Sequence, residues 1–428
     1  MTLATLSTLS FADVRRHLLA RDEIALIDLR EEHPFAQAHP LWAANLPLDL
    51  IARDAGRRIP RRDTLVVLYG EQDGVDRVPA AAERFAALGY TNVHALEGGL
   101  DGWRAAGGEL FRDVNVPSKS FGELVEHERH TPSLSAQEVK ALIDAKADVV
   151  VLDARRFDEY RTMSIPSATS VPGAELVLRA RALAPDPKTR IIVNCAGRTR
   201  SIIGTQSLVN AGLPNPVAAL RNGTIGWKLA GQVLDTNASR HAPAVDEDRR
   251  AEAQAGARAV AEQAGVHWIA LDALGTLASP SRTVYRFDVR TPEEYAAGHL
   301  PGFASAPGGQ LVQETDHAVP VRGARIVLAD DDGVRAPMTA SWLAQMGWEV
   351  YVVDPSLPAS AWRETGAPAV AHSVGAQRYR RPYEGTDAPP EAMQAYLDWE
   401  FGLVEQLARD GTHHFQVTLI PNAPGSFM

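Results

Sequence analysis

One short signature occurs three times in this chain of 428 residues and constrains its fold more than any other feature. The stretches ALIDLREEHPF, VVLDARRFDEY and YRFDVRTPEEY each close an apolar run with Asp-x-Arg, at Asp28/Arg30, Asp153/Arg155 and Asp288/Arg290. Further on in each copy, Gly89, Gly212 and Gly347 are followed by a short apolar run and then by Trp103, Trp227 and Trp362. The offset between copies is about 124 residues and then about 135. Recurrence at a steady spacing sets architecture before any single element does. The chain is therefore read as three tandem units of similar fold, a number that suits its length.

Within the middle unit, SLSAQEVKALIDA opens on a capping box, Ser135 with Glu138, ahead of helical periodicity. DVVVLDA and RIIVNC are short β-branched runs suited to strands buried on both faces. AELVLRARAL and SIIGTQSLVNAG read as helices, the second closed by Gly212. This alternation predicts an α/β fold, each unit a doubly wound, mostly parallel sheet flanked by helices. Such sheets bind ligands beyond the carboxyl ends of their strands. The strand RIIVN ends at Cys195, the single cysteine of the chain.

Cys195 opens a loop that continues Ala196, Gly197, Arg198, Thr199, Arg200 and then Ser201. A loop between a strand end and a helix start can turn its N–H groups onto an anion, and the helix dipole adds positive potential. A thiol placed there beside two arginines is expected to favour the thiolate, which is the nucleophile. Gly197 allows a tight bend. Asp153 and Arg155 are expected to pair near the strand end.

Composition narrows the classes. With 45% hydrophobic and 22% charged residues the chain is ordinary globular material, and one cysteine excludes an intramolecular disulfide or a multi-thiolate metal site. A net charge of −10 argues against a general nucleic-acid surface. The first residues lack a basic start with an apolar core, and no run approaches about 18 apolar residues. The reading is a cytoplasmic protein, off the membrane. No metal is expected at His413 and His414, because neighbours on a strand face opposite ways.

The loop CAGRTR, VVLDARRFDEY before it, SIPSATSVPGAEL between them and ALRNGTIGW after it together resemble a rhodanese domain, a sulfurtransferase fold. The resemblance covers nearly all of residues 130–237, with weaker copies over about 8–115 and 266–370. It implies that Cys195 takes the outer sulfur of thiosulfate or a related donor, releases sulfite, and carries the sulfur as a persulfide to cyanide, a thiol or a protein cysteine. Cys195 is then catalytic, and Ala196, Gly197, Arg198, Thr199, Arg200 and Ser201 bind substrate. No cofactor is expected. The family's loop glycine falls one place later than Gly197, and its Gly-His pair is Met163-Ser164 here. Related cysteine phosphatases place one more residue between cysteine and arginine, so the four found here favour sulfur transfer. A noncatalytic sulfur carrier or redox-sensing interaction protein is the alternative.

The outer copies lack the thiol. At the spacing Cys195 keeps from Gly212, Asp330 precedes Gly347, with Arg335 in the loop arginine's place; the third copy also keeps Gly298-His299. In the first copy Gly70 or a neighbour stands at the cysteine position, and a loop about two residues longer reaches Arg77. The expected division is 1–118 and 266–370 as cysteine-less units, 130–237 as the catalytic unit, 238–265 as a linker helix, and 371–428 as a tail. All transfer chemistry is expected within the middle unit. In the tail, Met393, Leu397, Phe401, Val404 and Leu407 recur at helical spacing. That stripe packs either on the chain itself or across a homodimer.

Overall fold

The computed structural model describes residues 6–277, 281–368 and 377–419. Three five-stranded parallel sheets are formed, one per repeat. In the second, Thr169–Ser170, Val149–Asp153, Arg190–Asn194, Val217–Leu220 and Ser133–Leu134 lie side by side. The first and third sheets repeat this strand order. Ile191, Ile192 and Val193 are fully buried, as expected of a central strand covered by helices on both faces. Expected elements recur with their caps: Ser135 accepts from Glu138 N–H to open the helix Ala136–Asp144, and Gly212 ends the helix Thr199–Asn210 at φ 72°.

The repeated Asp-x-Arg is a strand-end clamp. In each copy the arginine holds the aspartate through both oxygens and donates to a carbonyl eight residues on: Arg30 to Ala38, Arg155 to Met163, Arg290 to Gly298. Burial of the charged pair is tolerated because its donors and acceptors are satisfied. The middle copy adds Asn194 Nδ2, which donates to Asp153 Oδ2 at 3.0 Å and levels the two central strand ends. Trp103 and Trp227 are buried anchors whose indole N–H groups reach Glu109 and Val233 carbonyls; Trp362 is only half-buried, under the Arg290 guanidinium.

The linker helix and the helical tail both form, and both pack against the repeats. The helix Glu247–Gln263, within the expected linker, buries Ala253, Ala257 and Val260 in one cluster with Leu208, Val334 and Met338, so it wedges the second and third units together. The tail is two helices, Pro390–Phe401 and Leu403–Asp410, joined at Gly402. Met393, Leu397 and Leu407 are buried as their spacing predicts, whereas Phe401, at the end of the first helix, is 53% exposed and meets the Arg198 guanidinium. The stripe packs on the chain itself, which removes the observation that raised a dimer contact. No helix among the described residues is long and apolar enough to cross a membrane.

Candidate active site

Cys195 follows the strand Arg190–Asn194 and precedes the helix Thr199–Asn210, in the place the sheet rule assigns to ligands. Its sulfur lies 3.4 Å from Ser201 Oγ. The chain folds tightly behind the loop. Thr224 and Ile225 N–H groups donate to the Cys195 and Ala196 carbonyls at 2.9 and 3.0 Å. Gly223, at φ 55°, permits that approach, since a β-carbon there would stand 2.3 Å from the Cys195 carbonyl oxygen.

The thiol is 2% exposed. Burial pushes its pKa up, against the pull of Arg200 and of Ser201, while Glu400 adds to the rise. The expected thiolate preference is thus corrected: desolvation outweighs the arginine.

The two loop arginines are already engaged. Arg200 donates to both Glu159 oxygens, at 2.7 and 2.8 Å. Burial opposes both charges, yet their mutual attraction holds the Arg200 pKa above and the Glu159 pKa below its ordinary value. The third copy repeats the pair as Arg335 with Glu294 where no thiol exists, which marks it as architecture. Arg198 turns away from the sulfur. Its guanidinium meets Glu123 at 2.7 and 2.8 Å, meets Glu126 as well, and stacks 4.1 Å from the Phe401 ring centroid.

The third loop displays what such a loop can hold. The carboxyl group of Asp330, at the Cys195 position, accepts N–H bonds from Gly333 (3.1 Å), Val334 (3.1 Å) and Ala336 (2.7 Å), while burial and the Asp332 charge push its pKa well up. Ala336 corresponds to Ser201, whose hydroxyl meets the sulfur. The loops are not identical: Pro337 has no N–H, and Gly333 takes φ 69°, so the third helix starts one residue later than its counterpart. In the first copy, a two-stranded ribbon, Glu71–Gln72 with Val75–Asp76, replaces the loop. A β-carbon on Gly70 would stand 2.7 Å from the Leu29 β-carbon, leaving no room for a cysteine.

A small cavity adjoins Cys195, and its walls extend beyond the middle unit. Ser118 and Lys119 enter from the helix Val116–Arg129, Gln313 from the third unit, and Tyr383, Tyr396 and Glu400 from the tail. The thiol itself lies within residues 130–237, and the walls around it come from other parts of the chain as well. Lys119 Nζ donates to Asp113 at 2.7 Å and lies 5.1 Å from the Tyr396 ring centroid; burial works against its charge, but Asp113 keeps its pKa above the ordinary lysine value. His413 and His414 serve locally, the first accepting from Phe415 N–H and the second facing the Leu18 carbonyl.

Residues 10–106, 135–230 and 276–362 match the rhodanese-like domain family. The chain belongs to the rhodanese family. This three-domain rhodanese is similar over its whole length to the crystal structure of thiosulfate sulfurtransferase from Pseudomonas aeruginosa: 51% identity, 97% of this chain and 100% of that one covered, TM-score 0.93. A rhodanese-like domain from Anabaena sp. is 24% identical over 27% of this chain and 88% of its own, with a TM-score of 0.23. No curated protein matches this rhodanese.

Proposed function

We propose that this rhodanese is a sulfurtransferase that moves a sulfane sulfur from thiosulfate, or a related small donor, through a persulfide on Cys195. The Cys195 thiolate attacks the outer sulfur of the donor. A sulfur–sulfur bond forms to Cys195, the bond to the sulfonyl sulfur breaks, and sulfite leaves with the electron pair. Cyanide or a thiol then takes the outer sulfur and returns the electron pair to Cys195. The 51% identity to a thiosulfate sulfurtransferase supports the reading.

The observation that carries it is the placement of the one thiol in a strand-to-helix loop at the edge where such sheets bind ligands, while the sister loop holds a carboxyl group on three N–H groups. The N–H groups of Ala196 through Ser201 are read as the donors for substrate and persulfide charge, with Arg198 and Arg200 shaping the loop and Arg200 adding positive potential. The setting is read as cytoplasmic, where free thiols persist.

Mass spectrometry after exposure to thiosulfate is the test. One added sulfur on Cys195, with loss of both adduct and thiocyanate formation in Cys195→Ser, is the expected result. Turnover by the serine variant would sink the mechanism, and an adduct without turnover would make the protein a carrier.

A further inference from the structure

The tail wall of the Cys195 cavity carries a carboxyl group that the proposed chemistry has not used. Glu400 is 1% exposed and is the single carboxylate among the cavity-lining residues. Its Oε1 accepts from the Tyr396 hydroxyl at 2.8 Å. Its Oε2 has no hydrogen-bond partner among the described residues and faces the loop, where a β-carbon on Gly197 would stand 3.2 Å from it. A buried, unpartnered carboxylate oxygen is expensive unless a ligand proton meets it.

Charge bookkeeping says which proton. Thiosulfate and cyanide give thiocyanate and sulfite with no proton released. Thiosulfate and a thiol give a persulfide anion, sulfite and one proton. Resting on the sulfurtransferase reading, we propose that Glu400 accepts the proton of a thiol acceptor, which makes thiols the acceptor class for which this cavity is built. The acceptor sulfur bonds to the outer persulfide sulfur, the bond from that sulfur to Cys195 breaks, its electron pair returns to Cys195, and the acceptor's proton passes to Oε2 and then to water.

The surroundings suit this role. Lys119 and Glu123 face Glu400 from the helix Val116–Arg129, Arg198 and Cys195 from the loop, and Tyr383 and Tyr396 from the tail. Lys119 is committed to Asp113, and Arg198 to Glu123 and Glu126, so neither cation neutralises Glu400 fully. Burial, with the Glu123 charge, pushes the Glu400 pKa up to about 8. An ordinary thiol titrates near about 8.5, so the proton moves between groups of matched affinity.

The test uses the full chain charged with thiosulfate, with one added sulfur verified by mass, then discharged to glutathione or to cyanide. For Glu400→Gln, the ratio of glutathione to cyanide discharge rates falls on the order of a hundredfold. The inflection that Glu400 adds at a pH of about 8 is lost, leaving only the ionisation of the acceptor thiol at about 8.5, which is the same for every variant. An unchanged ratio overturns the proposal. If circular dichroism shows Glu400→Gln unfolded, Tyr396→Phe replaces it. Its lost hydrogen bond had pulled Glu400 down, so the inflection moves to higher pH, and an unmoved inflection overturns the proposal. Failure of the wild-type protein to take up sulfur overturns the sulfurtransferase reading itself, and this proposal with it.

Discussion

Removing the Arg198 guanidinium separates an architectural role from a substrate-binding one. The side chains of Arg198 and Glu123 are 3% and 4% exposed, and Glu123 has no other cation within salt-bridge distance among the described residues. Burial already holds the Glu123 pKa above its ordinary value despite Arg198. Arg198→Ala therefore strands a buried carboxylate, a change that destabilises by about 3–5 kcal/mol. Glu126, 29% exposed, is left to water and adds little. For a unit of this size the melting temperature should drop by about 6–20 °C.

Adding Glu123→Gln replaces the stranded charge by an amide whose unmet hydrogen bonds cost about 1–3 kcal/mol, so on the order of 2 kcal/mol returns. The pH sign follows from the raised carboxyl. At low pH the group is protonated folded and unfolded alike. As pH rises past its unfolded value of about 4.3, the unfolded state ionises first and folding is penalised. The Arg198→Ala deficit should accordingly be full near neutrality and shrink as pH falls toward about 4. Thermal melts by circular dichroism at two pH values decide the matter. A variant with wild-type melting and a raised thiosulfate KM would refute the argument and return Arg198 to the substrate.

Three further outcomes are expected. Stopped-flow sulfite release should climb with pH through a region above the ordinary thiol value, because burial raises the Cys195 pKa and the reactive form is the thiolate; a flat profile across that region would contradict it. Gly223→Ala should cut turnover at least tenfold with a native circular dichroism spectrum, since its β-carbon would push the Cys195 carbonyl from 2.3 Å and shift the loop by a large part of an ångström, enough to misplace a nucleophile. Asp330→Ala should lose on the order of 2 kcal/mol by leaving the Gly333 and Ala336 N–H groups without an acceptor, Val334 N–H keeping Asp332 at 2.7 Å, and added sulfate should recover part of it in thermal shift; no recovery would mean the emptied loop does not hold anions.

The repeat, the parallel sheets and the thiol loop were legible because each is local: periodic apolar runs, a capping box, a strand ending on cysteine. Asp330 was found by spacing alone, although its three N–H bonds were not. The rest of the cavity was hidden because nothing in PSKSFGEL or in AYLDWEF marks them as neighbours of residue 195. Lys119 and Glu400 meet the loop only through the packing of whole helices. Composition also misled about the thiol. Two arginines in sequence promised a thiolate, yet each was claimed by a glutamate that only the fold brings near, Glu159 for Arg200 and Glu123 for Arg198. The apolar stripe of the tail failed at Phe401, whose ring meets Arg198, a residue far away in the sequence.

The tail wall of the cavity sets a timetable. About 200 residues separate Cys195 from Glu400, so a ribosome making about 5–20 residues per second exposes the thiol for roughly 10–40 s before the segment that closes over it has been made. During that interval the middle sheet can fold and its loop can form, but the wall carrying Tyr396 and Glu400 is missing. The nascent chain therefore passes through a stage in which its thiol is open to any electrophile small enough to reach it. Maturation ends when the last helices dock, and selectivity toward sulfur partners begins at that moment.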